Sequence, residues 1–456
     1  MKRVAVINVV GLTQELIGEH TPNITSFTSK SSIQKFSPPL PAVTCTVQSS
    51  ILTGSEPIKH GIVANGWHDR EKHETAFWKQ TNALVQGTKI WDALKALQPE
   101  ATVANMFWWF NMYSSVDIAV TPRPQYRANG RKVPDIWTTP THLRQTLQDK
   151  HGAFPLFKFW GPGAGIESST WITNATLDIE HEFEPTLTFV YLPHLDYSLQ
   201  RVGPEHKSIP KELKAIDTQV GKLLETYERN GVQCCIMSEY GIEHASQHVH
   251  INKLLRENGY ISVREEDGRE YLDAGLSKAF AVPDHQVAHI YVREDVKIEP
   301  IAALLENDPG IEFVLLGDTR GKLNHERSGE IIAVASKGAW FTHDWWMQDC
   351  KAPDYQRCVD IHKKPGYDPR ELHLASGWRG SKVRIALLLL LKKCGFNKQL
   401  DVITLDANKV KGTHGRTPEQ GAPSPVFIAP CEVKKIPQPL PAAALNQYIL
   451  NLVTSS

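Results

Sequence analysis

The fold of this chain is decided by the stretch Pro41-Ala-Val-Thr-Cys-Thr-Val-Gln-Ser-Ser-Ile-Leu-Thr-Gly54. Prolines before it keep the backbone extended, and the small, hydroxyl-rich run that follows predicts a helix of about three turns over residues 44–53. Gly54 is typical of the residue that ends a helix. Thr44 therefore stands at a helix N-terminus, where free N–H groups and the positive end of the helix dipole attract a phosphate.

The hydroxyl group of Thr44 has two interpretations. It is either a cap of the helix, a role that Thr46 also fits, or a nucleophile held beside a bound phosphate. This segment by itself does not separate the two alternatives. The order of polar residues in the rest of the chain bears on the choice.

Composition excludes several classes of protein. The 456 residues suffice for a large core, and 41% hydrophobic with 22% charged residues is the balance of a globular protein. Fifty basic side chains balance fifty acidic ones, so no broad basic field is present to bind a nucleic acid duplex. Seven cysteines without CxxC spacing argue against a zinc ribbon or a disulfide framework and favour a cytoplasmic location.

Two apolar runs bear on membrane association. Residues 4–10 lack a cleavage site and predict a buried strand, so we expect no signal peptide. The run 385–391 lies between basic residues and is far shorter than the ~20 residues that cross a bilayer, so we expect no transmembrane segment. This run predicts a buried helix, and the alternative is a basic-rimmed helix on a membrane surface.

Buried strands alternate with amphipathic helices through the first part of the chain. Apolar runs at 187–192 and 232–237 predict strands, and the spacing over 215–230 predicts a helix. This alternation predicts an α/β fold with a mostly parallel sheet sandwiched by helices. Ligands of such sheets bind at the carboxyl ends of the strands, which is where Asp196 and Glu239 follow their strands.

The pattern changes after residue 260. Shorter strands, broken by loops rich in Trp, Asp and Pro, predict a smaller cap lobe at 261–400, inserted after a main core at 1–260. The chain then returns to the core over 401–435. Residues 436–456 predict a proline linker and a closing helix.

The order of these motifs resembles the nucleotide pyrophosphatase/phosphodiesterase branch of the alkaline phosphatase superfamily, the type I phosphodiesterases. In that family a nucleophilic Thr opens a helix ending in Thr-Gly, followed by Pro-x-x-His-Gly-Ile-Val-x-Asn. Thr44, Thr53-Gly54 and Pro57-Ile-Lys-His-Gly-Ile-Val-Ala-Asn65 match this pattern. The resemblance implies an alkaline-phosphatase-like sheet, Thr44 as nucleophile and Asn65 as a ligand of the phosphoryl oxygen.

The sequence departs from the family in its metal ligands. Val10 occupies the place of an Asp, and Gln200 occupies the place of the His that follows Asp196. Glu239-Tyr240 replaces an Asp-His pair, whereas the late His of the family is matched by His414. One of three His ligands therefore remains.

The candidate ligands that the resemblance implies fall into two sets. One is Asp196, Gln200 and His414, and the other is Thr44, Glu239, Tyr240 and Asn8. Two sets imply one or two divalent ions, which are zinc by resemblance. Because the sets are rich in oxygen, magnesium, manganese or calcium are alternatives.

Further histidines extend the list of candidates. His194 shares a strand end with Asp196 and is a candidate for the metal or the substrate, and His362 in the cap lobe is a more distant one. The remaining three, His248, His285 and His289, are more typical of structural histidines that hydrogen-bond within the fold.

The resemblance implies a metal-dependent phosphoesterase that acts on a phosphodiester or pyrophosphate-linked metabolite through a covalent phosphothreonine. We expect Trp67, Trp108 or Trp109 to stack on the organic part of a small phosphate-containing substrate. One alternative is a phosphomonoesterase or phosphoryl transferase on the same scaffold. The other is a ligand-binding relative that has lost catalysis. The sequence leaves the oligomeric state open.

Overall fold

The computed structural model describes residues 2–430 and 439–455. The largest sheet in these ranges has nine strands, with Val4–Val9 in the middle, parallel to Leu187–Leu192 on one side and to Gln233–Met237 on the other. Across the sheet the strands follow the order Leu440–Pro441, Ser31–Ser37, Val426–Pro430, Gln233–Met237, Val4–Val9, Leu187–Leu192, Val103–Met106, Ile118–Pro122 and Ile136–Thr139.

Strand direction is mixed only toward the edges of this sheet. Val426–Pro430 runs antiparallel to both of its neighbours, and Ile136–Thr139 is antiparallel at the opposite edge. The other neighbouring pairs are parallel. Every residue of Val4–Val9 is buried, as expected for a parallel strand covered on both faces. The prediction of an α/β fold with a mostly parallel sheet is confirmed.

Helices cover the sheet in two groups. Thr44–Thr53 packs against Ala442–Thr454, and Ile166–Phe183 packs against Ile209–Arg229, which begins earlier than the predicted 215–230. The remaining α-helices of the described residues are Pro22–Ser29, Pro57–His60, Ile90–Leu97, Leu143–His151, Leu156–Phe159, His194–Val202, Ile251–Glu257, Glu299–Glu306 and Lys382–Lys393. Short 3-10 helices are Gln14–Leu16, Asn82–Leu84, Gly317–Leu323, Asp349–Lys351, Asp354–Arg357, Pro369–Leu372 and Ala407–Lys409.

A second sheet is antiparallel, and its four strands come after Gln233–Met237 and before Val426–Pro430 in the chain. Its strands follow the order Ala279–Asp284, Val287–Val292, Ile331–Ala335 and Ile311–Leu316. Two-stranded ladders pair Gly66–Asp69 with Glu74–Phe77, Gln125–Tyr126 with Lys132–Val133, Glu243–His244 with Gly412–Thr413, Gln247–Val249 with Ala339–Phe341, and Ser262–Glu266 with Arg269–Asp273. The four-part domain division stays a prediction.

The prediction that the helix around 385–391 is buried is wrong. Lys382–Lys393 is a helix, as expected, but none of its residues is buried. A run that is apolar on all sides is typical of a core helix, and periodicity alone does not identify what covers it.

Two further expectations concern the chain's ends and membranes. The closing helix is present as Ala442–Thr454. The proline linker predicted before it falls partly on 437–438, which lie outside the described residues. Within 2–430 and 439–455, no helix combines the length and the apolar character needed to span a membrane.

Candidate active site

Thr44 opens the helix Thr44–Thr53, as predicted, and Gly54 ends it in the left-handed conformation that glycine accepts without strain. Val43 precedes the helix with extended backbone. The Thr44 hydroxyl does not cap its own helix. It donates a hydrogen bond to Glu239 Oε2 at 2.7 Å, which joins the helix N-terminus to the end of strand Gln233–Met237.

The Glu239 carboxylate is held by three side chains. Besides Thr44, the amides of Asn8 and Gln48 both donate to Oε1 at 2.6 Å. Burial raises the pKa of Glu239 to about 7, although these hydrogen bonds lower it. A carboxylate with this pKa, in contact with a hydroxyl, is placed and tuned as a general base.

Tyr240 lies between Thr44 and Asp196. Its hydroxyl is 3.2 Å from Thr44 Oγ1 and donates to Asp196 Oδ1 at 3.1 Å. The Tyr240 ring stacks on His414, with centroids 3.5 Å apart and planes inclined by 6°. Burial raises the pKa of Tyr240 well above its usual value, so this hydroxyl remains protonated at neutral pH.

Asp196 and His414 form the other half of the site. The Gln200 amide donates to Asp196 Oδ2 at 2.8 Å, and burial raises the pKa of Asp196 to about 6. His414 donates through Nδ1 to the Ala42 carbonyl at 2.8 Å. Burial lowers the pKa of His414 to about 3, so the ring is neutral and Nε2 carries the lone pair.

Within the part of the chain that the structure describes, the buried Nε2 atom of His414 has no hydrogen-bond partner. It lies 3.9 Å from Asp196 Oδ1. A neutral imidazole whose other nitrogen donates to a carbonyl is the arrangement that metal-binding histidines adopt. This buried, unpartnered nitrogen is therefore suited to accept a ligand.

Asn65 adjoins the same helix N-terminus. Its side-chain oxygen accepts from the Cys45 N–H at 3.0 Å, and its amide donates to Asp284 Oδ1 at 3.1 Å. The Asn65 backbone N–H donates to Asp284 Oδ2 at 2.7 Å. Burial raises the pKa of Asp284 to about 7, against the lowering effect of these bonds.

Four residues at the site were not predicted there. Gln48 donates to Glu239, and Asp284 accepts from Asn65, as described above. His285, which reads as structural in the sequence, lies with its ring centroid 3.8 Å from that of His414. The Tyr367 hydroxyl donates to Gln200 Oε1 at 3.3 Å, and its ring stacks on His285. A Tyr in a Pro-Gly-Tyr-Asp-Pro loop carries no signal that it reaches a site more than one hundred residues away.

The structure places the predicted aromatic residues apart from one another. Trp108 is fully buried against Phe189. Trp109 packs against Trp78, and its backbone N–H donates to Gln48 Oε1 at 2.7 Å, so it supports the amide that binds Glu239. Trp67 is half-buried beneath the Arg327 guanidinium. Their roles in substrate binding stay predictions.

The other predicted histidines contact residues outside the cluster. His194 Nε2 lies 2.8 Å from Glu212 Oε2. His289 contacts the Val63 carbonyl and the Gly329 N–H, as expected of a structural histidine. His362 contacts the Phe77 carbonyl, and the His248 ring packs near His250 and Trp340.

The site is closed. Thr44 is only 2% exposed, and Asp196, Glu239, Tyr240 and His414 are all buried. A small surface pocket reaches its edge, lined on one side by Tyr240 and His414 and on the other by Lys337, Arg416 and Glu243. Phosphorus therefore reaches Thr44 only after side chains above the cluster move.

A family model of type I phosphodiesterases/nucleotide pyrophosphatases matches residues 4–368, which is most of the chain. This chain belongs to that family. The resemblance drawn from residues 44–65 is confirmed, as is the prediction of a hydrolase of phosphate esters or anhydrides. No curated protein sequence matches the chain.

Solved structures of low sequence identity share the fold. Phosphonoacetate hydrolase from Sinorhizobium meliloti 1021, in complex with phosphonoformate, is 12% identical with a TM-score of 0.62, covering 99% of this chain and 96% of that one. An inactive murine ectonucleotide pyrophosphatase/phosphodiesterase 5 in complex with AMP is 14% identical with a TM-score of 0.58, covering 100% and 96%. The human counterpart is 14% identical with a TM-score of 0.56 and the same coverage.

Members of this family generally depend on divalent metal ions. The Thr44 half of this site does not fit an ion, because Val10 supplies no ligand and both Glu239 oxygens already accept hydrogen bonds. Among residues 2–430 and 439–455, no three His, Cys, Asp or Glu side chains form a group suited to a metal. Both Asp196 oxygens also accept hydrogen bonds, from Tyr240 and Gln200, but His414 Nε2 has no partner among the described residues, so the Asp196 half fits an ion better.

Proposed function

We propose that this chain hydrolyses a phosphodiester or a pyrophosphate-linked metabolite, with Thr44 as the nucleophile and Glu239 as its general base. The observation that carries this proposal is the 2.7 Å hydrogen bond from Thr44 Oγ1 to Glu239 Oε2 at a helix N-terminus. An ionised Glu239 accepts the hydroxyl proton as Oγ1 attacks phosphorus, which activates a hydroxyl that is otherwise a weak nucleophile.

The reaction then has two steps. In the first, the bond from Thr44 Oγ1 to phosphorus forms, the bond to the leaving oxygen breaks, and the Thr44 proton passes to Glu239. The leaving oxygen takes a proton from solvent. In the second, water attacks phosphorus, the bond from phosphorus to Oγ1 breaks, and Glu239 returns its proton to Oγ1. One water proton stays on the phosphate product, and the other passes to solvent. The N-terminus of helix Thr44–Thr53 attracts the anionic phosphoryl group in both steps.

The Asp196 half is proposed to hold a single divalent ion. Asp196 and His414 Nε2 are the groups that would bind it. The side-chain oxygen of Gln200, which accepts from Tyr367 while the Gln200 amide donates to Asp196, would join them once that amide turns, and this mixed set suits magnesium or manganese as well as zinc. Such an ion, when bound, stabilises negative charge on a phosphate oxygen. Gln200 in the place of a family His predicts weak binding of this ion.

A second candidate function is that of a ligand-binding relative without catalysis. The closed site favours it, because Thr44 is 2% exposed and the Tyr240 hydroxyl lies 3.2 Å from it. The retained pair of Thr44 and Glu239 opposes it, since a site released from catalysis has no need of a base against a buried hydroxyl.

Thr44→Ala separates the two functions. We expect the wild type to hydrolyse bis(p-nitrophenyl) phosphate and Thr44→Ala to lose the activity by at least about 10³-fold, because the attacking oxygen is gone. Thr46→Ala is the matched control, since Thr46 is buried in the same helix and its hydroxyl has no hydrogen-bond partner. Equal rates for wild type and Thr44→Ala would overturn the assignment, and no turnover by wild type with any divalent ion would favour the ligand-binding function.

A further inference from the structure

The helix Lys382–Lys393 lies on the surface and is apolar where surface helices are usually polar. It contains none of the buried residues that anchor other helices of this fold, although five consecutive leucines occupy 387–391. Monomeric proteins rarely leave large contiguous apolar patches uncovered. We therefore expect a binding partner to cover the exposed face of this helix.

Five of the exposed residues of this helix form one stripe. At roughly 3.6 residues per turn, Val383, Leu387, Leu390 and Cys394 fall on one face, with Ala386 beside them. All five are exposed, and Leu390 is 57% exposed. Leu389, 50% exposed, lies outside this stripe, whereas the partly covered Ile385 and Leu388 lie on the opposite side of the helix. We call the five exposed residues the apolar stripe.

Aromatic side chains extend the surface at both ends of the helix. Trp378 precedes it and is 64% exposed, and Phe396 follows it and is 59% exposed. Exposed Trp and Phe next to a leucine stripe are typical of helices that insert into the interface of a bilayer.

The charge around the apolar stripe is mostly positive. Residues 374–400 contain six Lys and Arg side chains and no Asp or Glu. Lys382 and Lys393 are exposed at the two ends of the helix. Arg379 and Arg384 pair with Asp401, whereas Lys382, Lys392 and Lys393 have no ion pair within 2–430 and 439–455.

The basic residues of this helix differ in what holds them. Arg384 in the first turn pairs with Asp401, whereas Lys382 stands at the N-terminus, where the helix dipole is unfavourable to a cation, and has no ion pair within 2–430 and 439–455. Lys392 and Lys393 in the last turn suit the dipole. An anionic surface along the helix would favour the unpaired lysines at both ends.

We infer that the apolar stripe docks on a bilayer containing anionic phospholipids, with Lys382 and Lys393 reaching the headgroups. Long lysine side chains extend to polar headgroups while the neighbouring leucines enter the acyl region. A second copy of this chain fits less well. Parallel pairing would bring Lys382 against Lys382, and antiparallel pairing would bring Lys382 against Lys393, so like charges meet in either case.

The test is co-sedimentation of the full chain with vesicles of phosphatidylcholine alone or mixed with phosphatidylglycerol. We expect binding to the mixed vesicles that falls as salt is raised, and much weaker binding to phosphatidylcholine alone. Leu387→Glu with Leu390→Glu should remove it. Lys382→Gln with Lys393→Gln should weaken it by about fivefold for each lysine.

Matched controls lie elsewhere on the surface. Leu276→Glu changes an equally exposed leucine, and Lys211→Gln with Lys214→Gln changes exposed lysines of another helix, so both should bind vesicles as the wild type does. Unaltered far-UV circular dichroism and unaltered hydrolysis by the variants keep the result free of folding effects. No binding, equal binding to both vesicle types, or a concentration-dependent dimer that Leu390→Glu dissolves would each overturn the inference.

Discussion

The Thr44 half and the Asp196 half of the candidate site differ in whether their polar atoms all have hydrogen-bond partners. In the Thr44 half, both Glu239 oxygens accept hydrogen bonds from Thr44, Asn8 and Gln48. In the Asp196 half, both Asp196 oxygens accept hydrogen bonds as well, but the buried Nε2 atom of His414, 3.9 Å from Asp196 Oδ1, has no partner among the described residues. The difference supports the proposal that the Thr44 half transfers a proton and the Asp196 half binds a metal ion.

Tyr240 connects the two halves of the site. Its hydroxyl bridges Thr44 and Asp196 at 3.2 and 3.1 Å, and its ring covers one face of His414. A phenol at this place supplies a neutral hydrogen bond between the Thr44 hydroxyl and the Asp196 carboxylate. Burial raises the pKa values of Asp196 and Glu239, and the Asp196 charge adds a smaller increase to the pKa of Glu239.

The largest loss of activity is expected from a substitution of Glu239. Glu239→Gln keeps the size of the side chain but removes the base, so kcat/KM should fall by about 10²–10⁴-fold. Steady-state hydrolysis of bis(p-nitrophenyl) phosphate measures it. Glu225→Gln, at an exposed position of helix Ile209–Arg229, makes the same change away from the cluster and is the matched control. A rate within twofold of wild type would mean that Glu239 is not the base.

Adding a ligand to the Asp196 half should sharpen the comparison. Gln200→His supplies the imidazole that the family pattern has beside Asp196, and we expect zinc affinity to rise by about 10–100-fold. Isothermal titration with zinc measures the change, with Gln219→His as the control. Unchanged affinity would place Gln200 outside the ligand shell.

The pH dependence of hydrolysis distinguishes the halves further. Glu239 must be ionised to accept the Thr44 proton, and burial raises its pKa to about 7. The kcat/KM should therefore rise with pH and level off above about pH 7, by about tenfold for each pH unit on the acidic side. Glu239→Gln should lose this rise, whereas Thr46→Ala should keep it. A flat profile in the wild type would contradict the role of Glu239.

The smallest expected effect is on stability. The pKa of Asp284 is raised to about 7 in the fold, so the folded chain binds more protons than the unfolded chain at intermediate pH. Its contribution to stability is present at low pH and is lost as pH rises through about 7.

Asp284→Asn removes this titration. We expect its Tm to lie a few degrees below that of the wild type at about pH 5 and to approach the wild-type value at about pH 8, because the variant also weakens one hydrogen bond to Asn65. Differential scanning fluorimetry measures both. Asp318→Asn, at an exposed position, should match the wild type at each pH. A Tm difference that does not vary with pH would contradict the assignment.

Local signals made part of the site predictable. The helix Thr44–Thr53 has the predicted bounds because Pro41 and Gly54 punctuate it in ways that tertiary contacts do not alter. Asp196 and Glu239 were found because polar residues after apolar strands meet at one sheet edge. These signals depend on neighbours in sequence, and sequence carries them directly.

Contacts between distant segments were not predictable in the same way. His285 follows strand Ala279–Asp284 and Tyr367 lies in a loop, yet both reach His414 and Gln200 across the fold. Burial of the helix Lys382–Lys393 was mispredicted for a related reason. An apolar run has the same sequence whether protein or another surface covers it, and only the packing of the whole chain decides.

We propose that Glu239 activates Thr44 and that at most one ion binds, at the Asp196 half of the site. The most direct test is metal content per chain, by elemental mass spectrometry after dialysis against a mixture of divalent ions. We predict no more than one ion per chain, lost in Asp196→Asn and in His414→Ala and retained in Glu239→Gln. Two ions per chain, or an ion lost in Glu239→Gln, would contradict the claim.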